Sequence, residues 1–468
     1  MDWTWTLVGQ LQELTTGHAA APLWDRFRSL LGLGMIIGLA WLMSTHRKGV
    51  DWRLVFSGLG LQLLLALVVL SPFGRFVFGG LNEVVTSILA TSTEGASFVF
   101  GRLADSYSLP TGASVVPPPE SADAGWLDFA RRAPVAVDPT EVRFVEVGAW
   151  IAFNILPTII FFSSLMAILY HLGVMSRVIQ GLAWIMRRTL RTTGPETLSA
   201  AGNIFVGQTE APLMIRPFLE RMTKSELMAI MTAGFATVAG GVLVAYVQML
   251  QPVFPDIAGH LLSASIMSAP AALVLAKVMV PAEGGAGAEE VQLPKTESVN
   301  VIDAAARGAG EGLQLALNVG AMLIAFVALV ALANDLLGWM GSWAGWGSLS
   351  LEGLLGGLLA PFTYMLGVPW EDAAEIGGLL GIKTVLNEFV AYASLAGQTE
   401  SLHPRSVLIS VYALCGFANL GSIGIQLGGL GPLAPSRRGD LAQLAFRAMI
   451  AGNLAACMTA AIVALLNG

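Results

Sequence analysis

The chain has 468 residues, 55% of them hydrophobic and only 12% charged, about half the charged share of a soluble domain. That balance excludes an ordinary soluble enzyme and implies a polytopic membrane protein. The net charge of −7 says little about partners, but the lack of a basic, aromatic-interleaved stripe argues against nucleic-acid binding, and two cysteines in apolar runs, Cys415 and Cys457, argue against a disulfide framework.

Residues 1–28 lack a basic segment followed by an apolar core, so no cleavable signal peptide is expected, and Trp3, Trp5 and Trp24 suit an interfacial segment. Apolar runs predict the first two spans at 30–44, starting earlier near Phe27, and at 55–72. Residues 77–101 are semi-polar and read as an interfacial or amphipathic segment, with an extra span as the alternative. A polar insertion, 103–146, carries Pro117-Pro118-Pro119. Further spans are predicted at 147–172, 227–250, 257–280, 313–336, 407–430 and 441–466. Residues 281–295, rich in Gly and Glu, read as a flexible linker, and the glycines of 338–357 as close helix packing.

Arginines and lysines set the orientation. His46, Arg47, Lys48 and Arg53, then Arg177, Arg187, Arg188 and Arg191, then Arg437 and Arg438 mark three cytoplasmic stretches. The insertion then lies outside, and both termini lie outside the cytoplasm.

Two stretches of this chain repeat one plan. Asn203-Ile204-Phe205-Val206-Gly207-Gln208-Thr209-Glu210 is followed by Gly234-Phe235-Ala236-Thr237-Val238-Ala239-Gly240. Lys383-Thr384-Val385-Leu386-Asn387-Glu388 is followed by Gly416-Phe417-Ala418-Asn419-Leu420-Gly421-Ser422. The offsets are 178 residues at the glutamates and 182 at the Gly-Phe-Ala triplets. The orientation brings the chain into the membrane from opposite sides at the two copies, which is an inverted-topology repeat enclosing a midplane site. A carboxylate at the bilayer centre costs about 2.5–3.5 kcal/mol, and Gly202, Gly207, Pro212 and Pro217 break any long helix across 199–219. A re-entrant hairpin resolves both problems by shielding its polar tip with protein. Broken helix ends at Thr237 and Asn419 offer free carbonyls to a hard cation. The bland alternatives are close packing for the glycines of 234–241 and a structural bridge between Glu388 and Lys383.

These blocks resemble the concentrative nucleoside transporters. The likeness is carried by Gly202-Asn203-Ile204-Phe205-Val206-Gly207-Gln208-Thr209-Glu210-Ala211-Pro212-Leu213, by Asn387-Glu388-Phe389-Val390-Ala391-Tyr392, and by Gly416-Phe417-Ala418-Asn419-Leu420-Gly421-Ser422-Ile423-Gly424. It runs from about Leu30 to the C-terminus and leaves out the insertion. It implies an all-α protein of about eight spans with two re-entrant hairpins. The chain divides into a scaffold (1–180), a first hairpin and broken helix (181–256), scaffold helices and linker (257–370), a second hairpin and broken helix (371–432) and a last span (433–468).

The resemblance further implies that Gln208, Thr209 and Glu210, with Val242 as an apolar wall, hold a nucleobase. Glu388, Asn419 and Ser422, with Phe417 nearby, would hold the ribose. A coupling sodium would sit at the side chains of Asn203 and Thr237 and the carbonyls of Val206 and Val238. Gly207 with Gln208 matches the broad-specificity members (uridine, cytidine and adenosine class), whereas Gly241 stands where Ser or Thr is common. The expected activity is sodium-coupled nucleoside import, with no cofactor beyond the ion, by a homotrimer in a lipid membrane, the bacterial inner membrane suiting this chain length. Proton coupling through Glu210 or Glu388 is the alternative within transport. An intramembrane enzyme using Glu210 lacks a nucleophile–histidine pair, since His18, His46, His171, His260 and His403 fall at span ends or in loops. A passive channel leaves two deep hydrogen-bonding clusters unexplained.

Overall fold

Long apolar runs can satisfy their backbone polar groups without water only as helices, and helices are what they form. The computed structural model describes residues 23–100, 107–111, 114–115, 135–136, 143–147, 151–282, 298–343 and 349–466. Trp3, Trp5, most of the 103–146 insertion and most of the 281–295 linker lie outside the described residues. Two short antiparallel strand pairs, Tyr107–Thr111 with Arg143–Val147 and Ser114–Val115 with Val135–Ala136, bring the ends of the insertion together.

Helix α1 spans Leu23–Leu42 and α2 spans Trp52–Leu70, the latter opened by the Asp51 carboxylate accepting from the Arg53 and Leu54 amides. Helix α3, Pro72–Phe100, covers the semi-polar segment as 29 residues of helix. A π-turn at Ile151–Ile155 leads into α4, Leu156–His171. Gly173, at φ +72°, turns the chain into α5, Val174–Leu190. This helix was not expected from the arginine-rich stretch. Helix α6, Gly194–Gly202, starts where the Thr193 amide donates to Glu196 at 2.8 Å. An irregular tip and a 3-10 helix, Ala211–Arg221, follow.

Helices α7, Lys224–Ala236, and α8, Gly240–Leu250, are the two halves of the span expected at 227–250, broken at Thr237. Helix α9 is Ile257–Met279 and α10 is Val301–Trp343, much longer than the 313–336 core expected. Helices α11, Leu351–Leu366, and α12, Trp370–Val385, bend by 116° about Gly367. Helix α11 replaces the reading of 338–357 as packing glycines alone. Gly356 does pack closely, since a Cβ there would lie 2.4 Å from the Ala374 carbonyl, but Gly338 and Gly357 face open space. The rest is α13, Glu388–Gln398; α14, Pro404–Ala413; α15, Leu420–Leu433; and α16, Arg438–Leu466.

Helices α7, α9 and α16 are buried over most of their length and form the centre of the molecule. A buried ion pair, Lys277 to Glu196 at 2.6 Å, ties α9 to the first arm of the 194–221 unit. In contrast, α10 packs on α4 through Gly308 and Gly312 and leaves large apolar side chains exposed, Ile324 among them at 77%.

Candidate functional site

The two sequence copies are built alike: a helix, a polar tip, a second helix, then a helix broken at its Gly-Phe-Ala stretch. In the second copy the breaks are capped by amides. Asn387 Oδ1 accepts from the Val390 amide at 2.9 Å and so starts α13, while Asn419 Oδ1 accepts from the Ser422 amide at 2.8 Å and starts α15. Capping leaves the Asn419 amide nitrogen free to donate to Glu388 Oε2 at 3.0 Å. Tyr246 of α8 donates its hydroxyl to Glu388 Oε1 at 2.8 Å. Glu388 is 4% exposed, and each carboxylate oxygen has one donor and spare lone pairs for another.

Lys383 does not bridge Glu388. Its ammonium donates to the carbonyls of Ala413 at 2.9 Å and Cys415 at 3.4 Å, at the carboxyl end of α14. A cation there meets the negative end of the helix dipole and carbonyls the break leaves orphaned. Tyr392 serves the Val411 carbonyl likewise at 2.7 Å, and Asn453 of α16 donates to the Ala418 carbonyl at 2.7 Å. The second break is thus held open by side chains from three other helices.

The first copy holds the other half. Asn203 is 1% exposed, and neither its Oδ1 nor its Nδ2 has a protein partner. Thr237 donates its hydroxyl proton to the Ala233 carbonyl at 2.8 Å, which leaves its oxygen lone pairs free. Among the described residues the carbonyls of Val206 and Val238 accept no hydrogen bond. An orphaned buried amide oxygen, a hydroxyl turned acceptor and two free carbonyls are the kind of oxygen-only ligands that suit a small hard cation.

Gln208 is buried at 6% with its Oε1 unpartnered. Thr209 donates to Glu210 at 2.9 Å, and the Glu210 carboxylate folds over Gly207, where an added Cβ would lie 2.1 Å from its Oε2. Gly207 therefore matters sterically: a serine would push that carboxylate aside. Glu210 itself is exposed, unlike the other tip residues. Val242 is buried at 2% on α8, and Ser422 likewise on α15. Phe417 is half-buried.

The two breaks touch. Gly416 (φ +116°) lies against the Phe235 and Ala236 carbonyls, and the Phe417 amide donates to the Thr237 carbonyl at 3.4 Å. Thr237 at the first break and Phe417 at the second thus adjoin through one backbone contact.

Sequence reasoning missed Tyr246, Gln426 and Ser163. Gln426 of α15 donates to the Met231 carbonyl at 2.9 Å and flanks Gly234 beside Gln208. Ser163 of α4 places its hydroxyl 3.2 Å from where a Gly241 Cβ would be, bringing from a neighbour a hydroxyl that position 241 lacks. Each lies in a largely apolar run, and only the fold brings it to the site. The glycines of 234–241 do pack closely, Gly240 donating to the Phe205 carbonyl at 2.9 Å, so packing and the break coexist.

Sequence-family models match three parts of the chain: the N-terminus of Na+ dependent nucleoside transporters over residues 31–103, a nucleoside-recognition "Gate" over 152–253, and the C-terminus of Na+ dependent nucleoside transporters over 260–464. The interval between the first two contains most of the insertion. The chain is 40% identical to an uncharacterized transporter of Haemophilus influenzae, covering 94% of this chain and 97% of that protein. It is also 40% identical to solute carrier family 28 member 3 of Rattus norvegicus over 93% of its own length, spanning 58% of that longer protein. The structure of CNTnw in an inward-facing substrate-bound state aligns with a TM-score of 0.79 at 40% identity, over 94% of this chain and 97% of that one. An outward-facing CNTnw variant gives 0.81 at 39% identity, over 95% and 98%.

Proposed function

Because the chain belongs to the family of sodium-dependent, concentrative nucleoside transporters, and is a transporter rather than an enzyme, we propose that it imports nucleosides of broad base type by symport with sodium. The observation that carries this reading is the buried Glu388, held by Tyr246 and Asn419, with no Lys or Arg paired to it among the described residues. Ribose presents neighbouring hydroxyl donors, and a carboxylate with spare lone pairs is their natural acceptor. Gln208, Thr209 and Glu210 face the base, Val242 and Phe417 supply apolar contact, and Ser422 joins Glu388 and Asn419 at the sugar.

Sodium binds at Asn203 and Thr237 with the Val206 and Val238 carbonyls and orders the first hairpin, after which nucleoside binds across the two units. The hairpin repeats, 181–256 and 371–432, then move against the scaffold and expose the site to the cytoplasm. One charge crossing 100 mV contributes about 2.3 kcal/mol, roughly a fiftyfold concentration. The exposed apolar face of α10 supports burial in lipid and against other copies in a homotrimer. Positive-inside counting supports an inner-membrane protein with both termini outside.

The test is uptake of radiolabelled uridine and adenosine into proteoliposomes with sodium and proton gradients imposed separately. Accumulation of intact nucleoside driven by sodium is expected. Uptake that ignores sodium and follows the pH gradient would overturn the coupling, and no uptake of any nucleoside would overturn the function. Asn203→Ala removes the buried, unpartnered Asn203 Oδ1 from the proposed ligand set. It is expected to raise the half-saturating sodium concentration about tenfold, the worth of one charge-assisted contact. An unchanged sodium dependence would place the ion elsewhere.

A further inference from the structure

Helix α5 carries three bands at helical spacing. Met175, Ile179, Met186 and Leu190 are buried against the protein. Val174, Val178 and Ile185 form an exposed apolar band, 41–42% accessible. Arg177, Trp184, Arg187, Arg188 and Arg191 form a third, exposed band. The helix contains no acidic residue, and among the described residues no carboxylate pairs with these arginines. Trp184, Arg187, Arg188 and Arg191 line an open cleft of about 520 Å³.

A second observation concerns the end of the helix. Arg191 sits at φ +57° and is the one non-glycine at positive φ among the described residues. Glycine is the usual residue at such a helix terminus, and a bulky side chain there carries strain that persists where it serves a function. The αL turn aims the chain away from the helix into α6, and Arg191 completes the cleft that Arg187 and Arg188 begin.

We infer that this cleft is a binding site for the phosphate headgroup of an anionic membrane lipid. The exposed Val174, Val178 and Ile185 band meets acyl chains, Trp184 sits at the headgroup level as interfacial tryptophans do, and the guanidinium groups take the phosphate through paired N–H donors. This is the three-sided arrangement of a helix lying in the membrane plane, with one face on protein, one on hydrocarbon and one on headgroups. Because α5 leads directly into α6, the bound lipid anchors the base of the first hairpin. The site is independent of what the protein carries across the membrane.

The test is native mass spectrometry of the purified protein titrated with phosphatidylglycerol or phosphatidylcholine. Wild type is expected to retain phosphatidylglycerol preferentially. The triple variant Arg187→Gln, Arg188→Gln, Arg191→Gln is expected to lower that retention roughly a hundredfold, at about fivefold per arginine near an anionic surface. Arg191→Gly alone is expected to lower it about fivefold while leaving the melting temperature at or above wild type, because it relieves the positive φ. That variant separates lost lipid from lost folding. Arg47→Gln with Lys48→Gln, on another basic loop, is the control and is expected to leave retention unchanged. Equal retention of both lipids, an equal loss in the control pair, or full displacement by inorganic phosphate would each overturn the lipid assignment.

Discussion

Glu388→Gln is expected to lower uridine uptake in proteoliposomes roughly ten- to a hundredfold, the range for hydrogen bonds to a charged group, without disturbing the fold. The amide is nearly isosteric. Its oxygen can keep the bond from Asn419, and its nitrogen can donate to the Tyr246 hydroxyl, which accepts as readily as it donates. The local network therefore survives, and what is lost is the charge and one acceptor that would face the sugar. The same reasoning fixes the comparison. Wild type should discriminate strongly between uridine and 3′-deoxyuridine, because a site built to bind a hydroxyl is left unpaired by its absence. In the variant that gap should shrink. Unchanged uridine uptake, or an equal fall for both nucleosides, would remove Glu388 from the sugar site.

Gly416→Ala is expected to abolish transport and most folded protein. Two penalties coincide there. The residue sits at φ +116°, where a side chain costs about 1–3 kcal/mol. Its Cβ would also stand 2.8 Å from both the Phe235 and Ala236 carbonyl oxygens, which belong to backbone and cannot rotate away. Relief requires separating the two breaks, and that separates the proposed cation ligands from the Glu388 cluster. Against a total stability of about 5–15 kcal/mol, the combined cost takes a large share. Gly424→Ala on α15, where a Cβ meets nothing within 4 Å, is the matched control and should behave as wild type. Size-exclusion profiles in detergent and uptake measure both; a monodisperse, fully active Gly416→Ala would show that the contact between breaks is dispensable.

The repeat, the breaks at Thr237 and Asn419 and the polar tips were all legible in the chain, because a charge or a cluster of glycines in a long apolar run is conspicuous. Helix α5 was not anticipated, since its arginines mark a cytoplasmic loop as well as they mark an amphipathic helix. Helix α11 was obscured by glycines, which serve packing at Gly356 and nothing visible at Gly357. Lys383 was offered as a partner for Glu388 by its nearness in sequence. In the fold it turns instead to the buried carbonyls at the end of α14, which the helix break leaves without helical donors.

Composition and local pattern were enough to establish a helical membrane protein with two related polar units, because lipid allows few backbone solutions and penalises every stray charge. Which oxygens stay free was decided only by tertiary contacts. Asn203 keeps its amide unpaired although it is buried, and Thr237 spends its proton on Ala233 and keeps its lone pairs. Tyr246, far from Glu388 in the chain, reaches its carboxylate. The pairing of a buried polar atom depends on what packs beside it in three dimensions, and no spacing along one chain contains that.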